Sequence, residues 1–143
     1  MKNASEKKVL IVEDDMLLSM VEERLVKKLG YEVVAKATNG EDAIRHMHEQ
    51  SPDVILMDIV LKGELDGIET MEQIRTQSDV PVIYLSGNSD RFNYERAKKT
   101  GFSDYLVKPI TLHDLRVPFE KALSTEIYGA ENGTESIQLG KTA

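Results

Sequence analysis

The sequence contains no cysteine, which excludes disulfides, thiolate nucleophiles and cysteine-based zinc centres. It has no stretch near the ~20 consecutive apolar residues that a membrane helix needs. Basic residues are in the minority: 18 Lys and Arg stand against 25 Asp and Glu, a formal net charge of −7. Such a balance disfavours general affinity for nucleic acid, which is bound through Lys and Arg at its phosphates, and for an anionic membrane surface. The first eight residues include three lysines. Only the short run Val9-Leu-Ile-Val12 follows, which is too short for the apolar segment of a signal peptide. The expectation is a cytoplasmic protein that neither inserts in membranes nor binds nucleic acid directly.

What remains suits one domain: 143 residues, of which 41% are hydrophobic and 30% charged. Five short apolar runs stand out: Val9–Val12, Glu32–Lys36, Val54–Met57, Val80–Leu85 and Tyr105–Val107. Several are near-continuous and β-branched, the pattern of strands buried on both faces of a parallel sheet. The second is the most polar and reads as an edge. Helical spacing fills the gaps. Leu17, Leu18, Val21, Leu25 and Leu29 mark a first helix, stopped by Gly30. Ala43, Ile44 and Met47 mark a second, opened near Asn39-Gly40; Ile68, Met71 and Ile74 mark a third. Phe92 to Lys99 is a weaker, polar fourth, ended by Gly101. Leu112, Leu115, Phe119, Ala122 and Leu123 mark a fifth, with Thr111 as N-cap and Pro118 as a point of kinking. Strand–helix repeated five times predicts an α/β fold with helices on both faces of a parallel sheet. Ligands in such folds bind at the carboxyl ends of the strands.

Those strand ends carry Glu13-Asp14-Asp15, Asp58, Ser86 and Lys108. If the first and third strands are neighbours, Glu13, Asp14 and Asp58 gather at one spot. Like charges that close need compensation, and an all-oxygen ligand set favours a hard divalent cation such as magnesium. Lys108 can approach a phosphoryl oxygen as a point charge, and the Ser86 hydroxyl can donate to another. A carboxylate with these partners is equipped to become an acyl phosphate. Asp15 reads as the start of the first helix, where acidic residues are favoured.

The ordered set of Glu13-Asp14, Asp58, Ser86 and Lys108-Pro109 resembles the receiver domain of response regulators, the CheY-like superfamily of two-component signalling. The likeness runs from about Lys8 to Leu123. It implies a three-layer, flavodoxin-like (βα)5 fold with strand order 2-1-3-4-5. The implied boundaries are an N-terminal extension over 1–7, the receiver over 8–125 and a flexible C-terminal tail over 126–143. It implies that Asp58 accepts phosphate from a histidine kinase or a histidine phosphotransfer protein. It further implies Mg2+ or Mn2+ held by Asp14, Asp58, Glu13 through water and the backbone carbonyl of Val60. Ser86, Lys108 and the Gly87 backbone would bind phosphate, with Ser86 and Tyr105 as the switch pair. The Lys108-Pro109 bond would be cis. Output would pass to a protein partner through the face of the fourth helix, fifth strand and fifth helix, or through a phosphorylation-dependent dimer. The chain would be a phosphoacceptor rather than an enzyme acting on other substrates.

The segment Ile59-Val-Leu-Lys-Gly-Glu-Leu-Asp-Gly67 departs from the family pattern. Lys62-Gly63 stands where proline is expected, and the loop is one residue longer. Asp66-Gly67 is retained to open the third helix. Val60 and Asn88 occupy positions that tune how water reaches the acyl phosphate, and valine cannot orient water, so modest autodephosphorylation is expected. Two other readings remain open. A metal-dependent aspartyl phosphatase would carry a second acid at position 60, where Val60 stands. A nucleotide- or flavin-binding module would need a glycine-rich loop after the first strand, where Glu13-Asp14-Asp15 stands. His46 and His48 point to different helix faces and read as surface residues, as do His113, Arg91, Lys98 and Lys99.

Overall fold

Residues 6–88 and 90–124 are described by the structure, a computed structural model; the expected C-terminal tail lies outside them. The chain alternates β1 (Lys8–Val12), α1 (Met16–Lys28), β2 (Glu32–Ala37), α2 (Gly40–Gln50), β3 (Val54–Asp58), α3 (Gly67–Ile74), β4 (Val82–Ser86), α4 (Arg91–Lys98), β5 (Asp104–Val107) and α5 (Leu112–Leu123). The strands form one parallel sheet in the order β2-β1-β3-β4-β5.

Burial follows that order. β3 and β4 are buried at every residue, whereas the edge strands β2 and β5 are mostly half-buried. Alternate residues of each strand serve opposite faces. Leu10, Val12, Ile55, Met57, Val82 and Tyr84 pack with Ile68 and Met71 of α3. Val9, Ile11, Val54, Leu56, Ile83 and Leu85 pack with Val26 of α1 and Leu115 and Phe119 of α5. The near-continuous apolar runs are the sequence trace of this two-sided burial.

Local signals start the helices where the sequence places them. Asn39 caps α2 through Asp42 N. Asp66 and Thr111 each close a capping box, with Glu69 and Asp114. Asp15 caps α1 by accepting from Leu18 N at 3.0 Å. The chain stays helical through the buried Pro118. No helix among the described residues is long and apolar enough to cross a membrane.

The stripe Leu17, Leu18 and Val21 does not face the core; these residues are 69%, 36% and 44% exposed. Helix α1 instead turns Ser19, Glu22 and Val26 inward, and of the expected stripe only Leu25 and Leu29 pack against the core. The reason is its location: the N-terminal half of α1 lies beside the charged strand ends, and only its C-terminal half lies over apolar strand residues.

Candidate functional site: carboxylates and a lysine at the strand ends

Register brings the site together. Val12 pairs with Met57, so one step further along two parallel strands Glu13 lies beside Asp58. Ser86 pairs with Val107, which sets Lys108 at the same edge, with its backbone N–H donating to Ser86 O at 2.7 Å. The Lys108-Pro109 bond is cis, as expected.

Glu13, Asp14 and Asp58 each offer an oxygen within 4.8 Å of the others. Glu13 and Asp58 are 1% and 3% exposed. The Lys108 ammonium lies 3.2 Å from Asp58 Oδ2 and 3.5 Å from Glu13 Oε1. Burial opposes the Lys108 charge, but Asp58, Glu13 and Glu22 outweigh it and raise its pKa. Asp58 is pushed up to about 7, by burial first and then by the Glu13 hydrogen bond and charge, with Lys108 pulling the other way. With no cation beside it, Asp58 is therefore not fully ionised near neutral pH, contrary to the ordinary carboxylate value. These oxygens, crowded around a single lysine, fit a hard divalent cation that would offset the repulsion burial imposes.

The neighbouring loop is tied to the same cluster. Lys62 N donates to Asp14 Oδ2 at 3.0 Å, so the extended β3–α3 loop reaches back over one prospective ligand. Gly67 N donates to Ile59 O at 2.7 Å. A Cβ at Gly67 would fall 2.1 Å from Asp58 O, so the start of α3 rests directly on the Asp58 backbone. The Val60 side chain is 68% exposed.

Ser86 is buried, and its hydroxyl donates to Asn88 O within the β4–α4 loop. The Asn88 side chain accepts from Asp90 N at 2.9 Å, so it helps set the start of α4. A Cβ at Gly87 would meet nothing within 4 Å, which leaves that approach open. Tyr105 is half-buried, with ring centroids 5.1 Å from Tyr94, 5.7 Å from Phe102 and 6.3 Å from Tyr84. Its buried hydroxyl has no partner among the described residues.

Two participants were missed in the sequence. Glu22 of α1 is 2% exposed, and burial, with the neighbouring Glu13, raises its carboxyl to about 10. Arg96 of α4 reaches Asp66, the cap of α3, at 3.0 Å. Stepping back from the buried Val26 by four and three residues would have found Glu22 and Ser19, but the leucines nearby were the stronger signal.

The family model of the response regulator receiver domain matches residues 9–120. The chain belongs to that family. This receiver is 34% identical over 118 residues to the transcriptional regulatory protein PdtaR of Mycobacterium tuberculosis, covering 82% of this chain and 57% of that protein. It is also 34% identical over 119 residues to a probable transcriptional regulator, ycf27, of Guillardia theta, covering 83% and 46%. The chain thus spans about half the length of the curated relatives it matches. Among solved structures, it resembles the receiver domain of a modulated diguanylate cyclase from Desulfovibrio desulfuricans, with 34% identity, a TM-score of 0.78 and coverage of 84% and 95%. It also resembles the BeF3-activated N-terminal receiver of Klebsiella pneumoniae RstA, with 26% identity, a TM-score of 0.75 and coverage of 82% and 98%. It is a response regulator receiver domain of two-component signalling.

Proposed function

We propose that Asp58 accepts a phosphoryl group from a phosphohistidine of a sensor histidine kinase or a histidine phosphotransfer protein, and that the acyl phosphate switches output to a partner. The observation that carries this reading is the environment of Asp58: buried at the end of β3, beside Glu13 and Asp14, with Lys108 at 3.2 Å.

In the transfer, an Asp58 carboxylate oxygen forms the new P–O bond as the donor P–N bond breaks. The electron pair leaves with the imidazole nitrogen, which is protonated by solvent. Lys108 then faces a phosphoryl oxygen instead of the bare carboxylate, and the Gly87 backbone and Ser86 hydroxyl take others once Ser86 leaves Asn88 O. Glu13, Asp14, Asp58 and the Val60 carbonyl would hold Mg2+ or Mn2+. When bound, the ion offsets the negative charge gathered between acceptor and phosphoryl oxygens.

Turning Ser86 toward phosphate releases the β4–α4 loop, and Tyr105, whose hydroxyl has no partner among the described residues, is the second moving part. Their motion would bias the α4–β5–α5 face between two states. That face exposes Phe92 and Val107, 70% and 45% accessible, as anchors for a protein partner or a second phosphorylated copy.

The test is incubation with magnesium and acetyl phosphate, followed by intact mass. The expected product carries one phosphoryl group, and Asp58→Asn carries none. An unmodified wild type, or equal modification of Asp58→Asn, would overturn the proposal.

A further inference from the structure

Helix α1 turns a divided surface outward. Its exposed apolar residues, Met16, Leu17, Leu18, Met20 and Val21, all lie in its N-terminal half. Its exposed charged residues, Arg24, Lys27 and Lys28, all lie in its C-terminal half, and all are basic. The two acids within the helix do not balance them. Glu22 is buried, and Glu23 is already paired with Lys27 at 3.0 Å and with Lys36 of β2 at 2.8 Å. Arg24 and Lys28 have no carboxylate partner among the described residues. Contiguous exposed apolar surface marks an interaction site. On a chain of net charge −7, an apolar patch that continues into a basic one fits a partner that is apolar at one end and acidic at the other.

The chain carries such a segment. Helix α5 ends at Leu123, and Ala122 and Leu123 pack with Leu25, Val26 and Leu29 of α1. The chain therefore leaves α5 beside the basic half of α1. Residues 125–143 lie outside the described part of the structure, but the order of their side-chain types is informative. Glu126, Glu131 and Glu135 come first, Ile137 and Leu139 follow, and Lys141 is the one basic residue. From its C-terminal end to its N-terminal end, α1 offers the complementary order: Lys28, Lys27 and Arg24, then Val21, Met20 and Leu17. Reach is ample. Helix α1 has 13 residues, about 20 Å of helix, and the chain from Ser124 to Ile137 spans up to about 40 Å when extended. The covalent tether also supplies a local concentration on the order of millimolar, which a second copy lacks.

We infer that residues 126–139 dock on the outer face of α1 of the same chain. Glu126, Glu131 and Glu135 meet the basic half, and Ile137 and Leu139 cover Met20 and Leu17. The docked segment thus shields the apolar end of α1, next to the Asp15 cap and the strand-end carboxylates. Any partner for that face must displace it.

The lack of native cysteine makes a direct test available. Full-length chains carrying Ile137→Cys with Met20→Cys, or Ile137→Cys with Val117→Cys, are oxidised mildly at high dilution, and the rate of internal disulfide formation is followed. Val117 is 63% exposed on α5 and closer in the chain to position 137, so an undocked segment meets it at least as readily as Met20. The expected result is a bridge to position 20 that forms roughly tenfold faster than the bridge to position 117. Arg24→Glu with Lys28→Glu, or high salt, should slow the faster bridge several-fold. Leu17→Cys repeats the measurement one turn away, should a thiol at position 20 lie off the contact. Equal rates at Val117 and at both α1 positions, or a fast bridge indifferent to charge reversal, overturns the inference. Disulfide-linked dimers formed in preference to the internal bridge place the segment on a second copy, and overturn it as well.

Discussion

The Lys108 ammonium sits 3.2 Å from Asp58 Oδ2 and 3.5 Å from Glu13 Oε1, so one cation holds two buried carboxyl groups whose strands it does not share. Replacing it with methionine leaves those acids without compensation. The expected loss for Lys108→Met in EDTA at pH 8 is about 3 kcal/mol, the scale for removing one partner of a buried pair. At pH 5 the loss shrinks, because the acids take up protons instead. Urea unfolding at the two pH values measures this; an equal loss at both would contradict the electrostatic origin.

The pH dependence of the metal-free protein has a definite sign. Burial raises Asp58 to about 7 in the folded state, and burial with Glu13 raises Glu22 well above the carboxylate range. The folded state therefore holds protons that the unfolded chain has released. That contribution to stability is full below the ordinary carboxylate values and is lost as pH rises, for Asp58 through about 7. Melting in EDTA from pH 4.5 to 8 should show Asp58→Asn flattening the decline. Added Mg2+ should stabilise wild type more at pH 8 than at pH 5. A steeper decline in Asp58→Asn would be the opposite sign.

Gly67 tolerates no side chain. A Cβ there would lie 2.1 Å from Asp58 O and 3.0 Å from Ile59 Cα, both backbone atoms. Gly67→Ala should destabilise the fold by about 2–3 kcal/mol, the scale of forced overpacking, and should weaken Mg2+ binding by shifting the Asp58 backbone. Denaturation and Mg2+ titration test the two effects separately.

Tyr105 carries a hydroxyl that is buried and has no partner among the described residues. Tyr105→Phe should stabilise the unphosphorylated protein by about 1 kcal/mol, the low end of the cost of an unsatisfied buried group. If the hydroxyl finds a partner on activation, the substitution should also reduce the conformational response to beryllofluoride. A destabilised Tyr105→Phe would mean that the hydroxyl already has a partner.

Val60, exposed two residues beyond Asp58, cannot hold a water. Val60→Asn should shorten the phosphate lifetime severalfold in a time course of phosphate loss. A wild type that loses phosphate faster than the variant contradicts the assigned role.

The sheet and most of the charged cluster were legible in the sequence because strand ends expose their chemistry. Glu13, Asp14, Asp58 and Lys108 each terminate an apolar run, and parallel pairing does the rest. The β2 edge was legible from its polar residues. Glu22 was not, because periodicity identifies an inward face by its apolar residues, and α1 turns its polar face toward the charged strand ends. Leu17, Leu18 and Val21 mark the helix but lie on its outward side. The Arg96–Asp66 pair was also hidden: it joins the last turn of α4 to the N-cap of α3, whose proximity depends on how the two helices sit on the sheet.

Glu13 and Lys108 are 95 positions apart, and the reactive edge exists only after β5 has been laid against β4 as the last strand of the sheet. Until then Asp58 has no counter-ion. On the proposed reading, a partly folded chain would lack a competent acceptor even with every residue of its first three strands in place. If Asp58 is the acceptor, the signal is in that sense proofread by topology: only a completed molecule could be written to, and local melting of the β5 edge would silence it.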